Sequence, residues 1–283
     1  MGRAANYARM IKLSHSVFAL PFALTATVLA AGGAPPLRQV AWILVAMVGA
    51  RSAAMGFNRL ADHALDARNP RTAGRELPAG LLSRAEVWAF VALSAAALVV
   101  AAAMLNPLCL ALSPVALAIV FGYSFTKRFT ALSHGFLGLA LAIAPVGAWL
   151  AVRGALAWPP IVLGFAVLLW VAGFDTIYAC QDAAHDRAVG LHSLPARWGI
   201  RAALLAARVF HAGAVALLAA LYALVPLHPL YLAGVAGVAG LLAHEHSLVR
   251  HDDLSRVDAA FFTVNGLISV GYFVFTLAAL LLA

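Results

Sequence analysis

Apolar runs of membrane-spanning length alternate along the chain with short stretches rich in charge, proline and glycine. A helix crosses the hydrocarbon of a bilayer when roughly 17–25 consecutive residues are predominantly apolar. Nine stretches approach or meet that length, at 15–32, 38–56, 85–105, 107–122, 134–152, 158–178, 200–224, 229–249 and 259–282. The pattern predicts an all-α, polytopic membrane protein, a bundle of nine transmembrane helices in a single domain over residues 1–283. The first run follows Arg3, Arg9 and Lys12 like a secretory leader, but no small-residue cleavage site accompanies it and eight more runs follow. It reads as a retained first helix.

Composition agrees with a lipid environment. With 64% of residues hydrophobic and 11% charged, a water-soluble fold would lack the polar side chains to cover its surface. The formal charge of +8 would suggest nucleic acid as a partner for a soluble domain. Here the basic residues flank apolar runs, where membrane orientation and anionic lipid account for them, and a nucleic-acid partner is excluded. If nine helices alternate across the membrane, sixteen of the 19 Lys and Arg residues fall on the side of the N-terminus. Only Arg38 and Arg153 fall on the other side, and Arg208 lies within the seventh run. Cationic loops stay cytoplasmic, so the N-terminus is expected inside, in a bacterial inner membrane. Cys109 and Cys180 both sit near the ends of runs and form no disulfide framework.

All 11 acidic residues fall on that same face, which orientation does not require because Asp and Glu contribute little to it. Two constellations stand out among them. After the second run, Asn58, Asp62 and Asp66 are spaced four apart; after the sixth, Tyr178, Asp182 and Asp186 repeat the interval. Residues four apart share one face of a helix, and like charges so placed repel. Two such pairs on one side of a membrane call for a cation. Ligands with only oxygen donors favour magnesium, which commonly binds through carboxylates together with substrate phosphates. Arg68, Arg71, Arg75, Lys127 and Arg128 are candidates to neutralise phosphate oxygens. Pro70, Gly74, Pro78 and Gly80 predict a structured turn after the first constellation.

These segments resemble the UbiA family of membrane prenyltransferases. The stretch from Asn58 through Arg71-Thr72, Arg75 and Pro78 to Gly80 is similar to the family's first aspartate-rich motif. Asp175 through Tyr178, Asp182 and Asp186 to Gly190 and Ser193 is similar to the second, and Tyr123-Ser-Phe-Thr-Lys127-Arg128 to its basic motif. The resemblance covers nearly the whole chain. It implies magnesium-dependent transfer of a polyprenyl group from polyprenyl diphosphate to an aromatic acceptor, with the active site facing the cytoplasm. Asn58, Asp62, Asp66, Asp182 and Asp186 would hold the metal. Arg51, Asn58, Arg68, Arg71, Arg75, Tyr123, Lys127 and Arg128 would bind substrate, Arg128 by orienting an acceptor carboxylate, and Asp175, Tyr178 and Asp182 would be catalytic. One departure is Arg59, where many members carry Asp after the Asn. Asn58-Arg59 with Asn69-Pro70-Arg71-Thr72 is most similar to a branch labelled for 4-hydroxybenzoate that includes enzymes of the futalosine menaquinone route, and this resemblance implies a benzoate or a naphthoate as acceptor.

Two other functions compete. A transporter would place ionisable groups near the bilayer midplane rather than at helix ends on one face. A related enzyme acting on haem or a chlorophyll precursor would share the donor site. His244, Glu245, His246, His251, Asp252 and Asp253 form a further polar cluster that reads as a wet loop after the eighth run rather than a metal site. Asn265, within the last run, is expected to face other helices, either as an interhelical hydrogen bond or in binding.

Overall fold

A computed structural model describes residues 3–12 and 18–283. Among these residues it is helical throughout, with one isolated bridge between Arg250 and Asp253 and no strand. The helices are α1 (Arg3–Met10), α2 (Leu20–Ala31), α3 (Leu37–Arg68), α4 (Arg84–Leu105), α5 (Pro107–Thr126), α6 (Ser133–Arg153), α7 (Trp158–Ala179), α8 (Ala183–Ala188), α9 (Leu194–Trp198), α10 (Ile200–Leu221), α11 (Leu230–Leu248) and α12 (Asn265–Leu281). A 3-10 turn, Cys180–Asp182, joins α7 to α8, and a π-helical turn, Ala259–Val264, leads into α12.

The all-α expectation holds, and the count of nine crossings holds only in part. Among the described residues seven helices are long and apolar enough to span a bilayer. The first predicted run falls short because α2 has 12 residues; positions 15–17 of that run lie outside the described residues. The eighth falls short because α11 closes on His244-Glu245-His246, which makes its last turn polar.

The chain divides into two compact units, one of Met1–Ser16 with Leu37–Phe125 and the other of Val17–Pro36 with Thr126–Ala283. In the first, α3 packs along α4 at close range: a Cβ on Gly49 would lie 2.8 Å from the Ser94 carbonyl oxygen. Small residues at such crossings let apolar helices approach where no hydrophobic force drives them together in lipid. Helix α3 has 32 residues, about 48 Å at 1.5 Å per residue, far more than the roughly 30 Å hydrocarbon thickness. Its last turns therefore extend into the polar region. A capping box between Ser83 and Glu86 starts α4 and ends the intervening loop.

Helix α1 leaves no signature among the apolar runs, because its eight residues are too short to span a bilayer. It docks by Met10, packed with Leu60, Leu77, Leu82, Val87 and Val91. Two arginines of α3 hold its C-terminal carbonyls: Arg59 Nη2 donates to Met10 O at 3.4 Å, and Arg51 Nη2 to Ile11 O at 3.4 Å and Lys12 O at 3.2 Å. Unpaired carbonyls at a helix end favour such donors.

In the second unit α7 is central, packing against α6 and α10. A Cβ on Gly138 of α6 would collide with the Leu168 carbonyl, and one on Gly173 of α7 with the His211 ring. Phe18, Phe22, Trp170, Phe174 and Phe261 form an aromatic cluster on one side of α7.

Candidate active site

In the first unit, Arg51, Asn58, Asp62 and Asp66 all lie on unbroken α3, as the four-residue interval predicts. Asn58 Nδ2 donates to Asp62 Oδ2 at 3.0 Å and to Ser124 Oγ of α5 at 3.4 Å. Asp66 is only 7% exposed, and Arg75 Nη1 reaches both of its oxygens, at 2.7 and 2.9 Å. The loop that brings Arg75 back is the predicted turn. Thr72 Oγ1 ties it to the Asp66 carbonyl at 3.0 Å, and Gly80 takes φ of 70°, a left-handed conformation that favours glycine.

Arg68 and Arg71 are exposed at the end of α3 and the start of this loop. Arg51 is turned to the end of α1, and Arg59, the departure from the family motif, is 3% exposed beside it. Tyr123 lies on α5 and is half-buried.

In the second unit the equal spacing conceals a break. Tyr178 belongs to α7, Asp182 to the 3-10 turn and Asp186 to α8, so the single helical face expected for these three residues is interrupted. A 3-10 turn advances 120° per residue instead of 100°, and residues on either side of it lose their common phase. Asp182 and Asp186 are nevertheless both buried, at 8% and 3% exposure. Asp186 Oδ2 accepts from Ser193 Oγ at 2.9 Å, and the same hydroxyl caps α9 by accepting from Ala196 N at 3.3 Å. Tyr178 stacks at a tilt on Phe261, ring centres 4.3 Å apart. Lys127 is half-buried, and its carbonyl accepts from His192 N at 2.7 Å, which joins the basic segment to the chain just before Ser193. Arg128 is exposed.

One residue that the sequence did not single out belongs to this group. His134, at the start of α6, is 1% exposed, and its Nδ1 lies 2.7 Å from Asp175 Oδ2. Its other ring nitrogen, Nε2, accepts from Leu194 N at 3.4 Å. A buried histidine in an apolar run carries no periodic signal, and its partners lie 41 and 60 residues away.

The cluster after the eighth run divides in two. His251, Asp252 and Asp253 are exposed in a turn. The Asp253 carboxyl is held below its usual proton affinity, first by the Ser255 backbone N–H at 2.9 Å. His244, Glu245 and His246, by contrast, lie within α11, which corrects the wet-loop reading for them, and Glu245 is fully buried. Its Oε1 accepts from Asn265 Nδ2 at 3.2 Å, and Asn265 Oδ1 accepts from Trp170 Nε1 at 2.7 Å. Asn265 thus makes interhelical hydrogen bonds to α7 and α11.

The profile of the UbiA prenyltransferase family matches residues 19–267. A 4-hydroxybenzoate octaprenyltransferase of Vibrio atlanticus (strain LGP32) is 31% identical over 257 residues, 89% of each chain. One of Azoarcus sp. (strain BH72) is 33% identical over 264 residues, 92% of this chain and 91% of its own. Among solved structures, the apo form of a UbiA homolog from Aeropyrum pernix K1 superposes with a TM-score of 0.84 at 35% identity, covering 92% of this chain and 97% of that one. A UbiA homolog from Archaeoglobus fulgidus bound to DMAPP and Mg2+ shares the fold, with a TM-score of 0.73 at 20% identity, covering 98% of this chain and 100% of its own.

Proposed function

Because the chain belongs to the UbiA prenyltransferase family, we propose that it transfers a polyprenyl group from its diphosphate to a hydroxylated aromatic acid in quinone biosynthesis, either 4-hydroxybenzoate or a dihydroxynaphthoate. The observation that carries this reading is that each compact unit contains one pair of aspartates four residues apart, supported by hydrogen bonds at the polar end of an apolar helix. In this reading the chain is a single domain with nine crossings, its N-terminus and site on the cytoplasmic side of the inner membrane.

The chemistry of the donor set fits magnesium. Among the described residues no three His, Cys, Asp or Glu side chains converge as a metal group, so neither motif alone is a complete cage. Magnesium is commonly bound by one or two carboxylates together with substrate phosphates, and a pair of carboxylates per motif fits that demand. The Arg75 contact is compatible with it, since an ionised carboxylate offers about four lone-pair sites. Asp62, Asp66, Asp182 and Asp186, with Asn58, would hold the ion against one diphosphate. When bound, magnesium supplies Lewis-acid stabilisation of the charge on the leaving diphosphate.

The remaining work falls to the chain. Lys127, Arg68, Arg71 and Arg75 offset diphosphate charge, Arg128 orients the acceptor carboxylate, and Asp175 and Tyr178 position the acceptor ring. The allylic carbon–oxygen bond breaks with its electron pair leaving on the diphosphate. The ring carbon then bonds to the allylic carbon, and the ring proton is released. Apolar helix walls keep water from quenching the allylic cation first. The relatives named as 4-hydroxybenzoate octaprenyltransferases and the DMAPP- and Mg2+-bound homolog support this reading. Purified protein is to be assayed with prenyl diphosphates of several lengths against 4-hydroxybenzoate and dihydroxynaphthoates across a magnesium titration. Prenylated product that requires magnesium is expected. Full activity in excess chelator, or no transfer to any hydroxylated ring, overturns the proposal.

A further inference from the structure

We propose that His134 is a positioning residue for the acceptor site, holding Asp175 as a fixed hydrogen-bond acceptor for the hydroxyl group of the aromatic substrate. The inference rests on the reading that Asp175 contacts the acceptor.

Hydrogen-bond chemistry assigns the tautomer. The Leu194 backbone nitrogen can only donate, so His134 Nε2, 3.4 Å away, is the acceptor and carries no proton. The ring proton therefore sits on Nδ1 and is donated to Asp175 Oδ2 at 2.7 Å. An oxygen that receives this bond is held as an acceptor, and the imidazole cannot rotate without losing both contacts. His134 is 1% exposed and Leu194 2%, so water does not readily replace either partner. Asp175 is different: its side chain is 21% exposed, and among the described residues Oδ1 has no hydrogen-bond partner. One oxygen is fixed by the protein and the other is presented.

A carboxylate oxygen so presented suits a phenolic hydroxyl. As the ring carbon attacks the allylic centre, positive charge spreads onto the hydroxyl oxygen and its proton becomes more acidic. A hydrogen bond to an anionic oxygen thus strengthens in the transition state, which is where stabilisation accelerates the reaction. The segment that holds His134 also holds the second motif: Ser193 donates to Asp186, and Leu194, the next residue, donates to His134. This corner fixes the acceptor-side and diphosphate-side carboxylates relative to one another.

The test compares His134→Ala, His134→Asn and His134→Gln, alone and combined with Asp175→Asn, in purified full-length protein whose folding is checked by thermal unfolding. Asn places an amide N–H near the Nδ1 position; Gln places it near Nε2, away from Asp175. His134→Ala is expected to raise the acceptor's KM about tenfold, as loss of a charge-assisted hydrogen bond would, with the prenyl diphosphate KM unchanged. Asn is expected to recover most of that loss and Gln little of it, and His134→Ala is expected to add nothing once Asp175 is Asn. Parent-like acceptor kinetics in His134→Ala beside an impaired Asp175→Asn overturns the role of His134 alone. So do equal losses for both substrates, or losses that add in the double variant. Parent-like kinetics in Asp175→Asn overturns the underlying reading of Asp175 and the inference with it.

Discussion

The first aspartate motif rides on one uninterrupted 32-residue helix, whereas the second is carried across a helix, a 3-10 turn and a second short helix. Their supports differ accordingly. Asp66 is held by a charged partner nine residues on, Arg75, and Asp62 by Asn58 one turn back. Asp186 is held by a neutral hydroxyl, Ser193, and Asp175 by a histidine from another helix. A continuous helix aligns its carboxylates by period alone and needs a cation nearby to offset their repulsion. A broken helix has no such alignment, so Asp186 is fixed by Ser193, seven residues on, while Asp175, still on α7, is held by His134 of another helix. Identical spacing in sequence has produced two different mechanical solutions.

The comparison is broken most directly at the carboxylates. Asp66→Asn and Asp182→Asn are each expected to lower turnover by roughly 10²–10³-fold, because charge on the leaving diphosphate grows as the bond breaks. Thermal unfolding should show both variants folded. Near-normal turnover in both would leave the aspartates as solvated helix ends; loss in one only would confine the chemistry to one motif.

Next in size is Arg75→Ala, which strands a buried carboxylate and should cost about 1–3 kcal/mol of stability in a denaturation experiment. Arg75→Lys should recover part of it. If Arg75→Ala unfolds no more easily than the parent, the charged support of the first motif is not structural.

Arg128→Ala sharpens the division between substrates. Arg128 and Asp175 belong to the same unit, and removal of a carboxylate-binding arginine should raise the acceptor's KM about tenfold with little change for the donor. A loss confined to the donor would move Arg128 to the diphosphate.

Ser193→Ala should have the smallest effect, about 1 kcal/mol of stability, since it removes one neutral hydrogen bond to Asp186 and the cap of a short helix. A loss larger than that of Arg75→Ala would reverse the ranking of charged and neutral support.

Much of the candidate site's local geometry is legible in the sequence. Asn58, Asp62 and Asp66 could be placed on one face because helix period is a local property, and the loop after them was marked by Pro70, Gly74, Pro78 and Gly80. Arg51 and Arg75 show the limit. Both read as substrate cations, and the structure adds protein partners that the sequence does not show: Arg51 donates to the end of α1 and Arg75 to Asp66. Charge is visible in a sequence, but the nearest partner of that charge is not. Glu245 failed for a related reason: its histidine neighbours suggest water, while the helix that carries it continues and turns it toward Asn265.

By itself the sequence determined the all-helical membrane class and the two four-residue intervals. Each follows from composition or from a period shorter than one helix. Only the tertiary structure decided that the second interval spans a 3-10 turn, and that His134, Leu194 and Ser193 gather around Asp175 and Asp186. A hydrogen bond requires approach within about 3.5 Å, and packing, not order along the chain, brings residues 41 and 60 positions apart to that distance.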